Sequence, residues 1–471
     1  MTTVQGIPIT PDRLAGATVL VAGAGVSGLA AASALLELGA RVTVTDAVPQ
    51  RLADLPAGAE PGTDPDGLPA GTALVVTGPG RRPDHPLVAA AAAAGVPMVG
   101  EPELAWWLGV ARDRPPTWLV ITGTNGKTTT TGMLAAILRA AELDAVACGN
   151  IGYPVVSAVQ AGHPVLAVEL SSFQLHWSPS IRPAAGCVLN VAEDHLDWHG
   201  SMAGYAAAKA LALRAPIAVA GVDDPVAAEL LAAAPPGARR IGVTWREPAP
   251  DQLGVVDGML VDRAFGGGEL IEADAVHPGG PPGIIDALAA AALAGAHGAS
   301  PAAVRSGLLD FRPGPHRGAP VGRVAGVRFV DDSKATNPHA AAAALAAQGP
   351  SPIVWVAGGL LKGAEVDDLV ARHAGRLRGV VLIGTDRVAF VAALRRHAPD
   401  VPVHEVIAGH DDPMTTAVRR AAALAHPGDV VLLAPAAASM DQFADYAARG
   451  RAFADAVTAL AAAADPESPA P

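Results

Sequence analysis

A glycine-rich loop between a strand-like run and a helix-like run limits what this chain can fold into. The loop spans residues 123–129, after the apolar run 118–121 and before the apolar run 133–138. Its glycines allow backbone N–H groups to close around phosphate oxygens, and the following helix N-terminus adds partial positive charge. Lys127 is expected to reach the outer phosphates, and the Thr128 hydroxyl to take one position on Mg²⁺. The pattern predicts an ATP-binding α/β domain.

Length and charge narrow the class of protein further. A chain of 471 residues is too long for one core and indicates about three domains. A formal net charge of −12 argues against nucleic-acid and membrane-surface partners. The sequence has no apolar run long enough to span a bilayer, and Cys148 and Cys187 offer no disulfide framework. Its first residues lack the basic and apolar regions of a signal peptide and are not expected to act as one. We therefore expect a cytoplasmic protein that does not insert into membranes. We also expect a monomer that takes small-molecule substrates.

The chain divides into three segments in which strand-like and helix-like runs alternate. The expected domain bounds are 1–100, 101–313 and 314–471. Short, nearly continuous apolar runs, each followed by a turn and a helical stretch, are typical of parallel sheets. The predicted fold is α/β, with a Rossmann-like first domain, a central P-loop ATPase domain and a Rossmann-like last domain. Residues 279–283 are expected to form a loop, and 464–469 a disordered tail.

The first segment carries the pattern of a dinucleotide-binding unit. A strand-like run, 18–22, leads into the G-x-G-x-x-G turn 23–28, and the next strand ends in Asp46. Taken alone, this arrangement is typical of NAD binding. The same turn suits any ligand that carries a pyrophosphate on a ribose, so the ligand stays open at this point. A further strand, 73–77, leads into the backbone-exposing turn 78–80.

Charged side chains follow strands in the other two segments, where α/β sheets place their chemistry. Glu169 ends an apolar run and suits a metal-binding or water-orienting role, or the capping of a helix. His195 follows another run, and a neutral imidazole is a good metal ligand. Tyr205 and Lys209 fall on one helix face, where Lys209 alone would be an ordinary surface lysine. With the polar run 331–337, these residues indicate ATP-dependent phosphoryl transfer to an acceptor that remains unnamed.

The combination of runs resembles the Mur ligases of peptidoglycan synthesis. The resemblance covers nearly the whole chain, in the same order. Its runs are 121–128, 149–152, 169–175, 194–197, 316–317, 332–338 and 439–443. The runs Ser171-Ser172-Phe173-Gln174-Leu175 and 332–337 are most similar to the D-glutamate-adding branch, and the Asp-Asn-Pro-Arg motif of other branches is absent from the sequence.

The resemblance implies an ATP-dependent amide ligase. ATP would phosphorylate the L-alanine carboxylate of UDP-N-acetylmuramoyl-L-alanine, and the amine of D-glutamate would then attack the acyl phosphate. The implied cofactors are ATP and two Mg²⁺ ions. The implied role is cytoplasmic synthesis of a cell-wall precursor.

The resemblance also implies a set of site residues, carried over position by position. The implied catalytic residues are Lys127, His195, Lys209 and Lys334. The implied ATP-binding residues are Gly123, Thr124, Asn125, Gly126, Lys127, Thr128, Thr129, Asp286, Arg317 and Asp332. The implied residues for the UDP substrate are Gly23, Gly25, Val26, Ser27, Gly28, Asp46, Gly80 and Asn150. D-glutamate would meet Thr336, Lys362, Ser439 and the backbone near Tyr446, and Mg²⁺ would meet Thr128, Glu169, His195 and Lys209, with Lys209 carbamylated.

Two stretches depart from the family pattern. Gly283 and Asp286 stand where the family carries a His-Asn-x-x-Asn signature for adenine. Gly283 has no side chain to donate, and Asp286 is expected to accept from the adenine amino group or to bond the ribose. Residues 47–49, after Asp46, lack the hydroxyl and arginine expected around uracil.

Three alternatives remain open. A folylpolyglutamate synthase-like ligase would share the phosphate loop but lack a UDP-binding first domain. An NAD-dependent oxidoreductase built on the turn 23–28 leaves Lys127, Lys209 and Lys334 without a role. A catalytically dead homologue that senses a nucleotide does not require the intact Lys127 and Glu169.

Overall fold

A computed structural model describes residues 10–63, 67–406 and 412–464. The described residues form three sheets flanked by helices, which confirms the predicted α/β class. They group into two compact units, one comprising Met1–Val276 and Ile285–Phe311 and the other His277–Ile284 and Arg312–Pro471. The first unit holds two of the sheets. None of the described helices is long and apolar enough to cross a membrane.

The first sheet has five parallel strands in the order β3-β2-β1-β4-β5. Its strands are β1 (Thr18–Ala22), β2 (Arg41–Thr45), β3 (Glu60–Gly62), β4 (Thr72–Thr77) and β5 (Met98–Gly100), and its helices are α1 (Val26–Glu37), α2 (Pro86–Ala93) and α3 (Glu101–Val110). The strand order reverses between β1 and β4, the position where open α/β sheets bind ligands. The loops after these strands touch there, since the Gly78 amide donates to the Ala22 carbonyl at 2.9 Å.

The second sheet has nine strands in the order β14-β13-β12-β11-β10-β9-β6-β8-β7. They are β6 (Thr117–Thr122), β7 (Ala145–Gly149), β8 (Val165–Glu169), β9 (Ala185–Val188), β10 (Ile217–Gly221), β11 (Arg239–Val243), β12 (Gln252–Val256), β13 (Met259–Asp262) and β14 (Gly268–Glu272). All are parallel up to β12, after which β13 and β14 run antiparallel to their neighbours. The interior strand β6, between β9 and β8, carries the phosphate loop at its carboxyl end.

Eight helices accompany this sheet. They are α4 (Lys127–Ala140), α5 (Val155–Gln160), α6 (Ser172–His176), α7 (Leu196–His199), α8 (Met202–Ala210), α9 (Pro225–Ala232), α10 (Gly280–Ala296) and α11 (Pro301–Asp310). The core beside the sheet includes Trp118, Val120, Leu166 and Val168, all buried on β6 and β8. The apolar runs 118–121 and 165–169 are therefore strands, as predicted.

The third sheet has six strands in the order β15-β16-β20-β17-β18-β19. They are β15 (Ala319–Val324), β16 (Val327–Asp331), β17 (Ile353–Ala357), β18 (Leu377–Leu382), β19 (Val403–Glu405) and β20 (Val430–Leu433), with helices α12 (Pro338–Ala346), α13 (Asp367–His373), α14 (Arg387–His397), α15 (Pro413–Leu424) and α16 (Tyr446–Ala464). Only β15 is antiparallel to its neighbour. Beyond Ala464, the predicted disordered tail lies outside the described residues.

The prediction of a loop at 279–283 was wrong, because α10 begins at Gly280. Pro281 and Pro282 fall in the first helical turn, where a missing backbone N–H removes no intrahelical hydrogen bond. Gly283 is required by packing, since a Cβ there would lie 1.7 Å from the Pro278 carbonyl oxygen. The glycine that departs from the family signature therefore meets a local steric demand.

Candidate active site

The phosphate loop turns directly from β6 into α4. Gly126 has a φ of +86°, which favours glycine, and Lys127 is the first residue of the helix. The Lys127 ammonium donates to the carbonyls of Gly123 and Thr124, both at 2.9 Å. This loop places a lysine and a helix N-terminus together, as phosphate binding requires.

A second lysine reaches the same loop from α8. Lys209 is 1% exposed, and its Nζ donates to the Gly123 carbonyl at 2.7 Å. It lies 4.5 Å from the centroid of the Tyr205 ring, which confirms that the two residues share a helix face. Burial and the Lys127 ammonium hold the pKa of Lys209 well below its ordinary 10.5, although Asp194 opposes the shift. Lys209 is therefore not the ordinary surface lysine that the sequence allowed.

Glu169 presents a buried carboxylate at the end of β8. The residue is 1% exposed, and its Oε1 accepts from Asn150 Nδ2 at 2.8 Å. Its Oε2 is buried and has no hydrogen-bond partner among the described residues. A carboxylate oxygen in that condition fits a hard cation such as Mg²⁺. Across the described part of the chain, no three His, Cys, Asp or Glu side chains form a ready metal cluster.

His195 lies on the segment between β9 and α7. Its φ is +55°, its side chain is 43% exposed, and its Nδ1 is 3.5 Å from Asp194 Oδ1. The Phe173 ring packs on the imidazole, with centroids 4.6 Å apart. The next helix ties this region to the loop after β4, because Trp198 Nε1 donates to the Gly80 carbonyl at 3.3 Å. The predicted turn at Gly80 thus lies near the segment that carries His195.

The glycine-rich turn between β1 and α1 packs tightly on itself. A Cβ at Gly28 would lie 1.9 Å from the Gly23 carbonyl, so glycine is needed there. Asp46 accepts from the Ala24 and Val48 amides, both at 2.8 Å. Burial raises the pKa of Asp46, but these amides, together with the Arg51 guanidinium, outweigh burial and hold the pKa below 3.8. The other predicted residues of this turn are Gly25, Val26 and Ser27, which precede or begin α1.

Arg51 was missed by the sequence analysis. Its Nη1 lies 3.5 Å from Asp46 Oδ1, and its side chain is 58% exposed. Residues 47–49, directly after Asp46, contain no arginine, but a short 3₁₀ turn, Pro49–Asp54, brings Arg51 back to Asp46. An exposed guanidinium group therefore lies beside the Asp46 carboxylate, just beyond the carboxyl end of β2.

The unit that holds the third sheet gathers polar groups after β16. His316 Nδ1 lies 2.6 Å from Asp331 Oδ2, and the Ser333 amide donates to Asp331 Oδ1 at 2.9 Å. Gly450 leaves room for this pair, since a Cβ there would lie 2.1 Å from His316 Nδ1. Buried Arg449 donates to the Ser333 hydroxyl and carbonyl at 3.0 and 2.9 Å. Arg449 and Gly450 sit within α16, and no sequence motif identified them.

Of the residues predicted to bind ATP or D-glutamate after β16, Asp332 and Lys334 follow Asp331 closely in the chain. Lys334 Nζ is 3.9 Å from the centroid of the Tyr446 ring. Burial and the charge of Asp331 raise the pKa of Asp332 to about 7, against the lowering effect of Arg317. Ser439 is buried, Thr336 is half-buried and Lys362 is exposed. Their contacts with D-glutamate or ATP stay predictions.

Asp286 lies beneath the phosphate loop. The residue is 6% exposed, and its Oδ1 accepts from Thr130 Oγ1 at 3.1 Å. A Cβ on Gly126 would lie 2.2 Å from the same oxygen. Asp286 therefore supports the first turn of α4, while its predicted contact with adenine stays a prediction.

Two domain families match the chain. Residues 121–247 match the family described as Mur ligase middle domain, and residues 316–437 match the one described as Mur ligase, glutamate ligase domain. Residues 1–61 match the alanine dehydrogenase/PNT C-terminal domain. Solved structures of a UDP-N-acetylmuramate-alanine ligase from Thermotoga maritima and a pseudomurein peptide ligase type C from Methanothermus fervidus each give a TM-score of 0.58. They cover 94% of this chain and 99% and 100% of their own, at 18% and 16% identity, and so show the shared fold.

The chain belongs to the Mur ligase family. Relatives that match almost the whole chain carry the name of one particular ligase. The UDP-N-acetylmuramoylalanine--D-glutamate ligase of Nocardia farcinica is 53% identical over 95% of this chain and 98% of its own length. The enzyme of the same name from Streptomyces coelicolor is 52% identical over 96% of this chain and all of its own length. An oxidoreductase would account for the first 61 residues alone.

Proposed function

We propose that this chain joins the amino group of D-glutamate to UDP-N-acetylmuramoyl-L-alanine at the expense of ATP. The observation that carries the proposal is the meeting of Lys127 and Lys209 at one carbonyl of the phosphate loop. An ATPase needs only the first lysine there. A second, buried lysine beside the phosphates suits an enzyme that also positions a phosphate acceptor.

The first step forms an acyl phosphate. A carboxylate oxygen of the L-alanine end attacks the γ-phosphorus of ATP, and the bond to the β-bridging oxygen breaks to release ADP. Lys127 exchanges the loop carbonyls for β- and γ-phosphate oxygens, while the first turn of α4 supplies N–H donors. Gly123, Thr124, Asn125, Gly126 and Thr129 shape this loop, and Arg317, Asp332 and Lys334 act on ATP from the third domain.

The magnesium sites follow from the donors available. Glu169, through its unpartnered buried Oε2, and Thr128 would hold one Mg²⁺, and His195 a second. Magnesium supplies neutralisation of the charge that develops on the transferred phosphoryl group. Asn150 fixes the Glu169 carboxylate by donating to its other oxygen, Oε1. Asn150 is also proposed to face the UDP substrate.

Lys209 is proposed to carry a carbamate. Carbamylation forms a bond between the Lys209 nitrogen and the carbon of CO₂ and releases one proton, so a neutral amine is required. The side chain is buried against Gly123 and Tyr205, and both burial and Lys127 disfavour its charged form. The modified residue would be an anion that orients the acceptor and helps His195 bind magnesium.

The second step forms the amide. The D-glutamate amine attacks the carbonyl carbon of the acyl phosphate, and the tetrahedral intermediate expels phosphate. Thr336, Lys362, Ser439 and the backbone near Tyr446 hold the two D-glutamate carboxylates through charge-assisted hydrogen bonds. The turns at Gly23–Gly28 and Gly80, together with Asp46, bind the UDP portion of the other substrate.

An isotope experiment tests this route. The UDP substrate is labelled with ¹⁸O in its L-alanine carboxylate, and the protein is supplied with ATP, Mg²⁺ and D-glutamate. Transfer of one ¹⁸O atom to the released phosphate supports the acyl phosphate, and unlabelled phosphate contradicts it. The chain is proposed to act as a monomer in the cytoplasm, and light scattering of the purified protein tests the first of these two points.

A further inference from the structure

We propose that Asn190 is a positioning residue that sets the shape of the phosphate loop for ATP. The inference rests on the proposed function, and it assigns a role to a residue just beyond the end of β9. Asn190 lies 65 positions from Asn125 in sequence, and the pairing of β9 with β6 brings the two together.

Asn190 clamps the loop with three hydrogen bonds. Its side-chain Oδ1 accepts from the Asn125 amide at 2.9 Å, and its Nδ2 donates to the Asn125 carbonyl at 3.2 Å. Its own carbonyl accepts from the Thr124 amide at 3.0 Å. An amide side chain is needed here, because one donor and one acceptor must face the same residue.

Neighbours of Asn190 complete the support. Ala192 donates its amide to Thr124 Oγ1 at 3.0 Å, and the Tyr205 hydroxyl lies 3.1 Å from the same oxygen. Leu189 packs under the loop, since a Cβ added to Gly123 would lie 3.0 Å from the Cβ of Leu189. Segment 189–192 therefore forms the surface against which the phosphate loop packs.

The hydrogen bonds of Asn190 determine which backbone amides of the phosphate loop can face a phosphate. Because the Thr124 and Asn125 N–H groups are directed to Asn190, the anion-binding donors are those at the start of α4. The segment then continues for a few residues to His195. Asn190 thus ties the phosphate loop to the segment that carries a proposed magnesium ligand.

The opposite side of the segment offers a matched control. The Val191 amide donates to Asp224 Oδ2 at 3.2 Å, and Asp224 also caps α9 by accepting from the Ala227 amide at 2.8 Å. Asp224 anchors the same segment without touching the loop. Asp224→Ala therefore weakens the segment while it leaves the Asn190 clamp in place.

The test compares Asn190→Asp, Asn190→Ala and Asp224→Ala in the full-length protein. Calorimetry measures binding of a non-hydrolysable ATP analogue with Mg²⁺, and steady-state assays give KM for ATP and for D-glutamate. Asn190→Asp places a carboxylate oxygen against the Asn125 carbonyl. We expect both Asn190 variants to weaken analogue binding and to raise KM for ATP about tenfold or more, with KM for D-glutamate within twofold of wild type. Asp224→Ala should lower Tm and leave analogue binding unchanged.

Two results from the variants would overturn the inference. One is wild-type affinity for the analogue in Asn190→Asp. The other is equal loss of affinity in Asp224→Ala, which would make the effect one of general stability. A wild-type protein that binds the analogue but lacks ligase activity would count against the proposed function alone, and one that binds no analogue would overturn both.

Discussion

Replacing Lys209 gives a sharp test of the two-lysine site. Lys209→Met keeps an unbranched apolar chain in the buried slot and removes only the amine. Lys209→Ala removes everything beyond Cβ and leaves a cavity beside the Gly123 carbonyl. Both variants lose the 2.7 Å hydrogen bond from Nζ to that carbonyl.

The expected loss of activity depends on which of two roles the Lys209 amine has. As a plain hydrogen-bond donor, Lys209 would contribute about 1 kcal/mol, or roughly a fivefold change in rate. As the carrier of a preorganised charge at the reacting phosphate, its loss should cost about 3–4 kcal/mol, so turnover should slow by about two to three orders of magnitude. We expect the larger loss in both variants.

Chemical rescue separates the variants. In Lys209→Ala the cavity admits acetate or propionate, whose carboxylate can stand where the carbamate would be, so activity should rise in proportion to added acid. In Lys209→Met the slot is filled, and the same acids should have no effect. The assay is phosphate release at saturating substrates across an acid concentration series. A fivefold loss without rescue in either variant would refute the carbamate and leave Lys209 a structural donor.

Three other predictions test buried positions elsewhere in the described residues. Burial raises the pKa of Glu103 from 4.5 to about 7, so the folded state holds a proton that the unfolded state has released, and stability should fall as pH rises through that window. Glu103→Gln should remove up to about 3 kcal/mol of this pH dependence, measured by urea unfolding at pH 5 and pH 8. Asp286→Asn keeps an oxygen for Thr130 and should stay active, whereas Asp286→Ala should raise KM for ATP about fivefold in steady-state assays. Gly450→Ala forces a Cβ against His316 and should cost about 1–3 kcal/mol in thermal unfolding.

Each of these predictions has a control or a contrary result. Equal pH dependence of wild type and Glu103→Gln would show that another group titrates in the window. Equal damage in Asp286→Asn and Asp286→Ala would mean that the carboxylate charge matters more than the bond to Thr130. For Gly450, the control is Gly375→Ala, where an added Cβ meets nothing within 4 Å. If both glycine variants lost the same stability, the His316 clash would not be the cause.

Strands and loops whose own residues determine their structure could be predicted from the sequence. The run 118–121 and the loop that follows could be assigned because a buried parallel strand is continuously apolar and its loop is rich in glycine. Strand β3, Glu60–Gly62, could not, because its residues are not apolar and only its pairing with β2 makes it a strand. The loop expected at 279–283 was wrong because glycine and proline also suit the first turn of a helix.

The residues of the site likewise divide into those that could be predicted from the sequence and those that could not. Lys127 and Glu169 could be predicted because strand ends in α/β sheets carry the chemistry. Lys209 could not be separated from a surface lysine by its own neighbours, since its burial depends on the packing of α8 against the loop. Asn190 and Arg449 gave no signal, because their roles are set by contacts across 65 and 116 positions of chain.

The most direct measurement is phosphate release with ATP, Mg²⁺ and UDP-N-acetylmuramoyl-L-alanine, with D-glutamate, L-glutamate, L-lysine and diaminopimelate supplied in turn and the product weighed by mass spectrometry. The account predicts release with D-glutamate alone and a product heavier by one glutamyl residue. Release with a different amino acid would keep the ligase chemistry and contradict the assigned substrate. No release with any of them would contradict the central claim.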